Sequence, residues 1–432
     1  MAIPPWTIEL LRRGLSDAAR KASEPATFEK IKNQASEILQ DLPQTAARGI
    51  DAVVRSAEAG KKSVERWSRK HTTLAIPILN ASGVLISDYG TGVPLAAPAA
   101  EVGAEFLLGD TISSGLIRDR FERRLQKLLP AGGGQAIAVT SNFSAALTAF
   151  SLLVRQRQLV VHRSHAVRLP DGRPLPEAFG TLLPVIQEVG GTDGVREGDF
   201  NGLDSFCAIM ADDGRSPAEP IDFGSRDAYQ AVVLPVATLA STAFPDIPSA
   251  EAMLTAGADF VIMPGDGICG GPPSGILIGP ESEVQRIRSC AAWDSLKAND
   301  AIEAMTLVTL ELAASHGDAI PVRSLLATGE ENLRGRAERL ATRLSGSDRI
   351  KTCQVTAEEA RLSSGGRWRL PSRQVRLRHE SMSAATWRQE LIEDSPSVIA
   401  NVDGDDLCLD LRWIAAADDA KLGEAIGGRI DL

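Results

Sequence analysis

The chain has 432 residues, 44% of them hydrophobic and 24% charged, with a formal net charge of −10. That length exceeds one ordinary core and predicts two or three domains. The acidic balance excludes a protein that coats nucleic acid through charge alone, and 4% aromatic content disfavours stacking platforms for single strands. Five cysteines (Cys207, Cys269, Cys290, Cys353, Cys408) form an odd set without metal-ligand spacing, so free thiols in a reducing compartment are expected. His162 and His165 are close in sequence but lack a nearby Cys or acidic pair, so no metal site is expected. No signal peptide and no run of 18 apolar residues is found; a cytoplasmic chain without a membrane span is expected.

In chain order, residues 1–73 read as a helical segment. Ile8, Leu10, Leu11 and then Ile31, Ala35, Ile38, Leu39 recur at helical spacing. Residues 1–70 hold thirteen Lys or Arg against nine Asp or Glu, with a basic end at Lys61, Lys62, Arg66, Arg69 and Lys70. This is either a solvated helical face or a weak site for a polyanion.

Over 74–318, apolar strands alternate with helical patterns. Strands are predicted at QAIAVT, QLVVH, FCAIMA, AVVLPVA, ADFVIM and GILIG, and helices at Arg118–Leu129, Ser144–Arg155, Ser249–Ala256 and Ala301–Ala314. Short buried strands separated by helices predict a mostly parallel sheet with crossovers. Within it, Ser141, Asn142 and Ser144 follow a strand and open a helix, a pattern that suits either a bound phosphate or a polar N-cap. Residues 319–432 predict a compact α+β domain. Its elements are a charged helix at Glu331–Ser345, strands at Gln374–Arg378, Ser397–Val402 and Leu407–Leu411, and a closing helix at Asp419–Ile426.

The stretch Met263–Gly279, MPGDGICGGPPSGILIG, predicts strand, glycine-rich turn, strand. Its Gly-Asp-x-x-x-Gly-Gly-Pro order resembles the cofactor-lysine loop of bacterial selenocysteine synthase, the pyridoxal-phosphate (PLP) dependent L-seryl-tRNA(Sec) selenium transferase family. Supporting stretches in the same order are PILNASGV, SGLIRDRFERRLQKLL, VTSNFSAALTAF, Leu370–Pro371 and LDLR at Leu409–Arg412.

The resemblance implies an aspartate-aminotransferase-like (fold type I) PLP-transferase: a large α/β domain, a small C-terminal α+β domain and a helical N-terminal segment. It implies a phosphate cradle at Ser141, Asn142 and Ser144 and a homodimer or larger homo-oligomer, and it offers Asp266 and Lys297 as further cofactor-binding residues, which read equally as a turn residue and a surface lysine. Two tools that the family's chemistry requires are missing. The Schiff-base lysine position holds Gly267, and the position of the acid facing the pyridine nitrogen holds Pro235. PLP is therefore expected without a covalent bond, or not at all. The expected role is a binding or assembly paralogue, the alternative being an active transferase or lyase on seryl-tRNA(Sec) or a small amino acid. tRNA binding is expected to be weak.

Overall fold

The computed structural model describes residues 75–428 apart from 110, 113–114, 130–133, 170–171, 181–185, 216, 243, 245, 316 and 366. The chain divides into two compact units, Met1–Ile76 and Pro77–Leu432, and nearly all described residues belong to the second. The predicted helical segment 1–73, with its basic end, lies outside the described residues.

Two short strands come first, β1 (Ile78–Ala81) and β2 (Val84–Ile86). Then follow β3 (Gln135–Thr140), β4 (Gln158–His162), β5 (Ile186–Val189), β6 (Ser205–Ala211), β7 (Asp227–Val233), β8 (Phe260–Pro264) and β9 (Gly275–Pro280). These last seven form one sheet in the order β3-β9-β8-β7-β6-β4-β5. Strands β5, β4, β6, β7 and β8 are parallel, and β9 runs antiparallel to both β3 and β8.

Helices cover both faces, which is why the strands read as continuous apolar runs rather than alternating ones. The strand period of two divides the residues between the faces. On β3, Ala136 and Ala138 pack with Leu147, Phe150 and Leu153 of the helix Phe143–Val154. Ile137 and Val139 pack with Phe121 and Leu125 of the helix Gly115–Gln126 and with Leu307 and Leu310 of the helix Asp300–Ser315.

The remaining strands are β10 (Ile350–Ser363), β11 (Arg369–His379), β12 (Ser397–Asp403) and β13 (Asp406–Asp410). They form a second sheet that also recruits the first two strands, in the order β1-β12-β13-β11-β10-β2. The helices Glu330–Ser345, Ala384–Glu393 and Asp419–Gly427 pack on it through Leu333, Leu340, Trp387, Leu391, Leu422 and Ile426. Arg336, 3% exposed, ties the first of these helices to the last through both carboxylate oxygens of Asp419, at 2.9 and 2.6 Å.

Two differences from the sequence reading have physical causes. The run AVVLPVA is not one strand: β7 ends at Val233, and the chain leaves the ladder because Pro235 offers no backbone donor. The long hairpin of β10 and β11 is legible only in part, because Ile350–Ser363 mixes Lys, Gln, Thr and Glu with its apolar residues and alternates weakly. No helix among the described residues is long and apolar enough to cross a membrane.

Candidate functional site

The residues singled out from the sequence converge on one edge of the seven-stranded sheet. Thr140, the last residue of β3, pairs with Gly275 at the start of β9, and Gly275 pairs with Pro264 at the end of β8. The Leu234 N–H donates to the Ile262 carbonyl at 2.9 Å, which holds Leu234–Pro235 beside the same edge. The Thr140–Ser144 turn, the Gly265–Ser274 turn and Pro235 are therefore neighbours by strand register.

Asn142 caps the helix that follows β3, its Oδ1 accepting from the Ala145 N–H at 2.8 Å. The Ser141 N–H is taken by the Leu296 carbonyl at 2.9 Å, and its hydroxyl accepts a long hydrogen bond from Asn142 Nδ2 at 3.5 Å. The Ser144 hydroxyl accepts from the Arg173 guanidinium at 2.7 Å. Arg173 is a residue that the sequence reading missed; it lies 29 positions along the chain, and no local pattern links it to the turn. Lys297 forms an isolated bridge with Thr140 along the backbone, but its ammonium is bound at 2.5 Å to the exposed Asp294. The lysine is near the turn, and its charge is already partnered.

The glycine-rich turn is held by its own backbone. The Gly265 N–H donates to the Ser274 carbonyl and the Gly271 N–H to the Gly265 carbonyl, at 3.0 and 2.9 Å. Gly267 has φ +59°, the left-handed region that residues with a Cβ avoid. A Cβ there would sit 3.3 Å from Cδ1 of Ile86. The next residues, Ile268 and Cys269, are buried, and burial pushes the Cys269 thiol up to about 12, so it is an inert thiol.

Within this turn Asp266 stands just before the single 3-10 turn Gly267–Cys269, and its side chain makes no capping hydrogen bond to it. Burial raises its carboxyl above the ordinary range, while its own backbone N–H pulls the other way. A raised folded-state pKa means that the folded protein is favoured at low pH and loses that advantage as pH rises through the folded value. Asp266→Asn is therefore expected to flatten the pH dependence of stability above about pH 4 and to raise stability near neutrality. Thermal melts of both proteins across that range check this; parallel curves would refute a strained carboxylate.

Where an acid facing a pyridine nitrogen would stand, Leu234, Pro235, Val236 and Ala237 are all buried. Val236 joins Leu85, Ile247, Ile268, Trp368 and Trp413 in one apolar cluster. A buried acid on this edge, Asp212 after β6, is engaged by both guanidinium nitrogens of Arg367 at 2.9 and 2.8 Å and by the Gly214 N–H at 2.8 Å. Arg367 comes from the tip between β10 and β11, a contact across 155 residues that the sequence did not signal.

PLP can be tested against these groups. Its phosphate would find hydroxyls at Ser141 and Ser144 and a helix start at Asn142. Its aldehyde finds no amine at Gly267, and its ring nitrogen finds an apolar floor at Pro235. The residues present fit the phosphate end and do not fit covalent PLP catalysis, so no catalytic step follows from them.

Comparison with known proteins agrees with this architecture. Residues 235–415 match the model of the family "SelA: L-seryl-tRNA selenium transferase". The chain is 28% identical to the L-seryl-tRNA(Sec) selenium transferase of Moorella thermoacetica over 92% of this chain and 87% of that protein. It is 22% identical to that of Aquifex aeolicus over 92% of this chain and 93% of the relative. Among solved structures, D-glucosaminate-6-phosphate ammonia-lyase superposes with a TM-score of 0.54 at 13% identity, covering 82% of this chain and 95% of the other. The chain thus resembles selenocysteine synthase over most of its length and has the fold type I architecture of PLP enzymes.

Proposed function

We propose that this chain is a selenocysteine-synthase-like protein that has lost Schiff-base catalysis and works as a binding or assembly paralogue. One observation carries the reading: Gly267, at the position where the resemblance expects the cofactor lysine, is seated in a left-handed turn that suits glycine. Pro235, in its apolar surroundings, supports it independently. The turn at Ser141, Asn142 and Ser144 retains donors for a phosphorylated ligand held without a covalent bond. The reading includes a homodimer or larger homo-oligomer in the cytoplasm, on the strength of the resemblance. Borohydride reduction of the protein mixed with PLP, followed by peptide mapping, is the test. No PLP-bearing peptide is expected. PLP fixed to Lys297 with measurable turnover would favour the alternative, an active transferase or lyase.

The relatives' name makes seryl-tRNA(Sec) the nucleic acid to try. Binding is expected to be weak and to fall further with salt, since the basic excess at the N-terminal end neutralises few phosphates. Replacing Lys61, Lys62, Arg66, Arg69 and Lys70 with Gln should lower that affinity and leave folding unchanged. Tight, salt-resistant binding in a filter assay would point instead to a working partner of selenocysteine synthesis.

A further inference from the structure

Strand β4 is the sheet's switch point. The chain crosses from β4 outward to β5, then returns to place β6 on the other side of β4. Loops leaving the carboxyl ends of such strands diverge and leave a crevice. Here the crevice is a cavity of ≈ 470 Å³, within the size range of small-molecule sites. Ser164 and His165 after β4, Thr192 and Asp193 after β5, and Glu219 and Ile221 after β6 line it. None of these residues belongs to the turn pair described above.

The ring of His165 is 3% exposed, and its Nδ1 lies 2.9 Å from the Ala211 carbonyl, which can only accept. Nδ1 therefore carries the proton, and Nε2 presents a lone pair. Burial lowers the His165 pKa and the nearby His162 adds to this, against the opposing Ala211 carbonyl, Asp212 and Asp213, so the ring is neutral near pH 7. No protein hydrogen bond reaches Nε2 among the described residues.

Ser164 is oriented by a second histidine. Nδ1 of the fully buried His162 accepts from the Ser164 N–H at 3.2 Å and from the Ser164 hydroxyl at 2.7 Å, and its Nε2–H donates to Asp199 at 3.1 Å. Gly190 allows this ring its place, since a Cβ there would lie 1.8 Å from His162 Nε2. With its proton committed to His162, the Ser164 oxygen offers only lone pairs to the cavity. Glu219 adds an exposed carboxylate without an ion-pair partner among the described residues, while Asp193 is paired with Arg196 at 3.4 Å. No Lys or Arg is among the described lining residues.

We propose that this switch-point cavity binds a small primary ammonium compound. Its three N–H donors meet the lone pairs of His165 Nε2 and Ser164 Oγ and the carboxylate of Glu219. An anion would meet the Glu219 carboxylate and no cationic side chain among the described lining residues.

Ethanolamine is the probe, with ethylene glycol and acetate as neutral and anionic controls, titrated into the full chain by calorimetry and by histidine ring NMR. Ethanolamine is expected to saturate one site and shift the His165 ring signals, and the controls are expected to do neither. Glu219→Gln, at an exposed position, should weaken ethanolamine by about tenfold with folding intact, and His165→Phe by at least as much. If His165→Phe does not fold, Glu219→Lys replaces it and should abolish binding. Absence of saturable ethanolamine binding overturns the proposal. So does acetate or ethylene glycol binding as tightly, or ethanolamine binding that the variants leave unchanged.

Discussion

Gly267→Lys is expected to yield a borohydride-reducible PLP adduct at residue 267 that the unmodified protein lacks, and still no transferase turnover. The lysine would stand in the turn that joins β8 to β9, whose ends pair through Pro264 and Gly275, with Thr140 paired to the same Gly275. Attachment should be partial. A side chain at φ +59° costs about 1–2 kcal/mol, and its Cβ presses on Ile86. Unfolding in urea should report that loss as a lower midpoint. Turnover should stay absent because Pro235 still leaves a ring nitrogen without an acid. Reduction with tritiated borohydride and peptide mapping read the first outcome, and selenium transfer to seryl-tRNA(Sec) reads the second. Activity in this single variant would refute loss of function by two changes.

Arg367→Ala should be the most destabilising single change on this edge. Asp212 has a side chain only 3% exposed and would keep the Gly214 N–H as its one described donor. Breaking a buried pair from one side typically costs 3–5 kcal/mol, and the partial exposure of Arg367 brings the expected figure to about 2–3 kcal/mol. Asp212→Ala with Arg367→Ala should cost less than the two single losses together, since no charge is stranded. A urea double-mutant cycle measures this, and additive losses would mean that the pair does not lock the hairpin tip to β6. The pair's place suggests what the change would expose. Trp368, beside Arg367, donates from Nε1 to the Asp246 carbonyl at 2.8 Å and packs with Val236 and Ile268. Loosening the tip should therefore quench Trp fluorescence differently from global unfolding.

Much of the fold could be read from the chain because its signals are local. The runs QAIAVT, QLVVH, FCAIMA, ADFVIM and GILIG are apolar on both faces, and each became a strand of the large sheet. Helix Phe143–Val154 announced its start through Asn142. The glycine-rich turn was legible because close backbone approach leaves room for little else: a Cβ on Gly271 would lie 2.6 Å from the Gly265 carbonyl oxygen. Elements with weak periodicity escaped, among them β5 and the helices Ala97–Leu107 and Glu281–Arg288.

The sequence by itself determined the alternation of strands and helices, the identity of the turn residues, and the glycine and proline where the resemblance expects a lysine and an acid. Each of these is a property of one residue or of neighbours within a few positions. Only the tertiary structure decided that β1 and β2 join strands more than 260 residues later, that Arg173 reaches Ser144, that Arg367 closes on Asp212, and that Lys297 spends its charge on Asp294. It also placed in a cavity at the switch point a His165 nitrogen that has no hydrogen-bond partner among the described residues. These features arise when burial and hydrogen bonding must be satisfied together across distant segments, and no local pattern encodes which distant group will meet which.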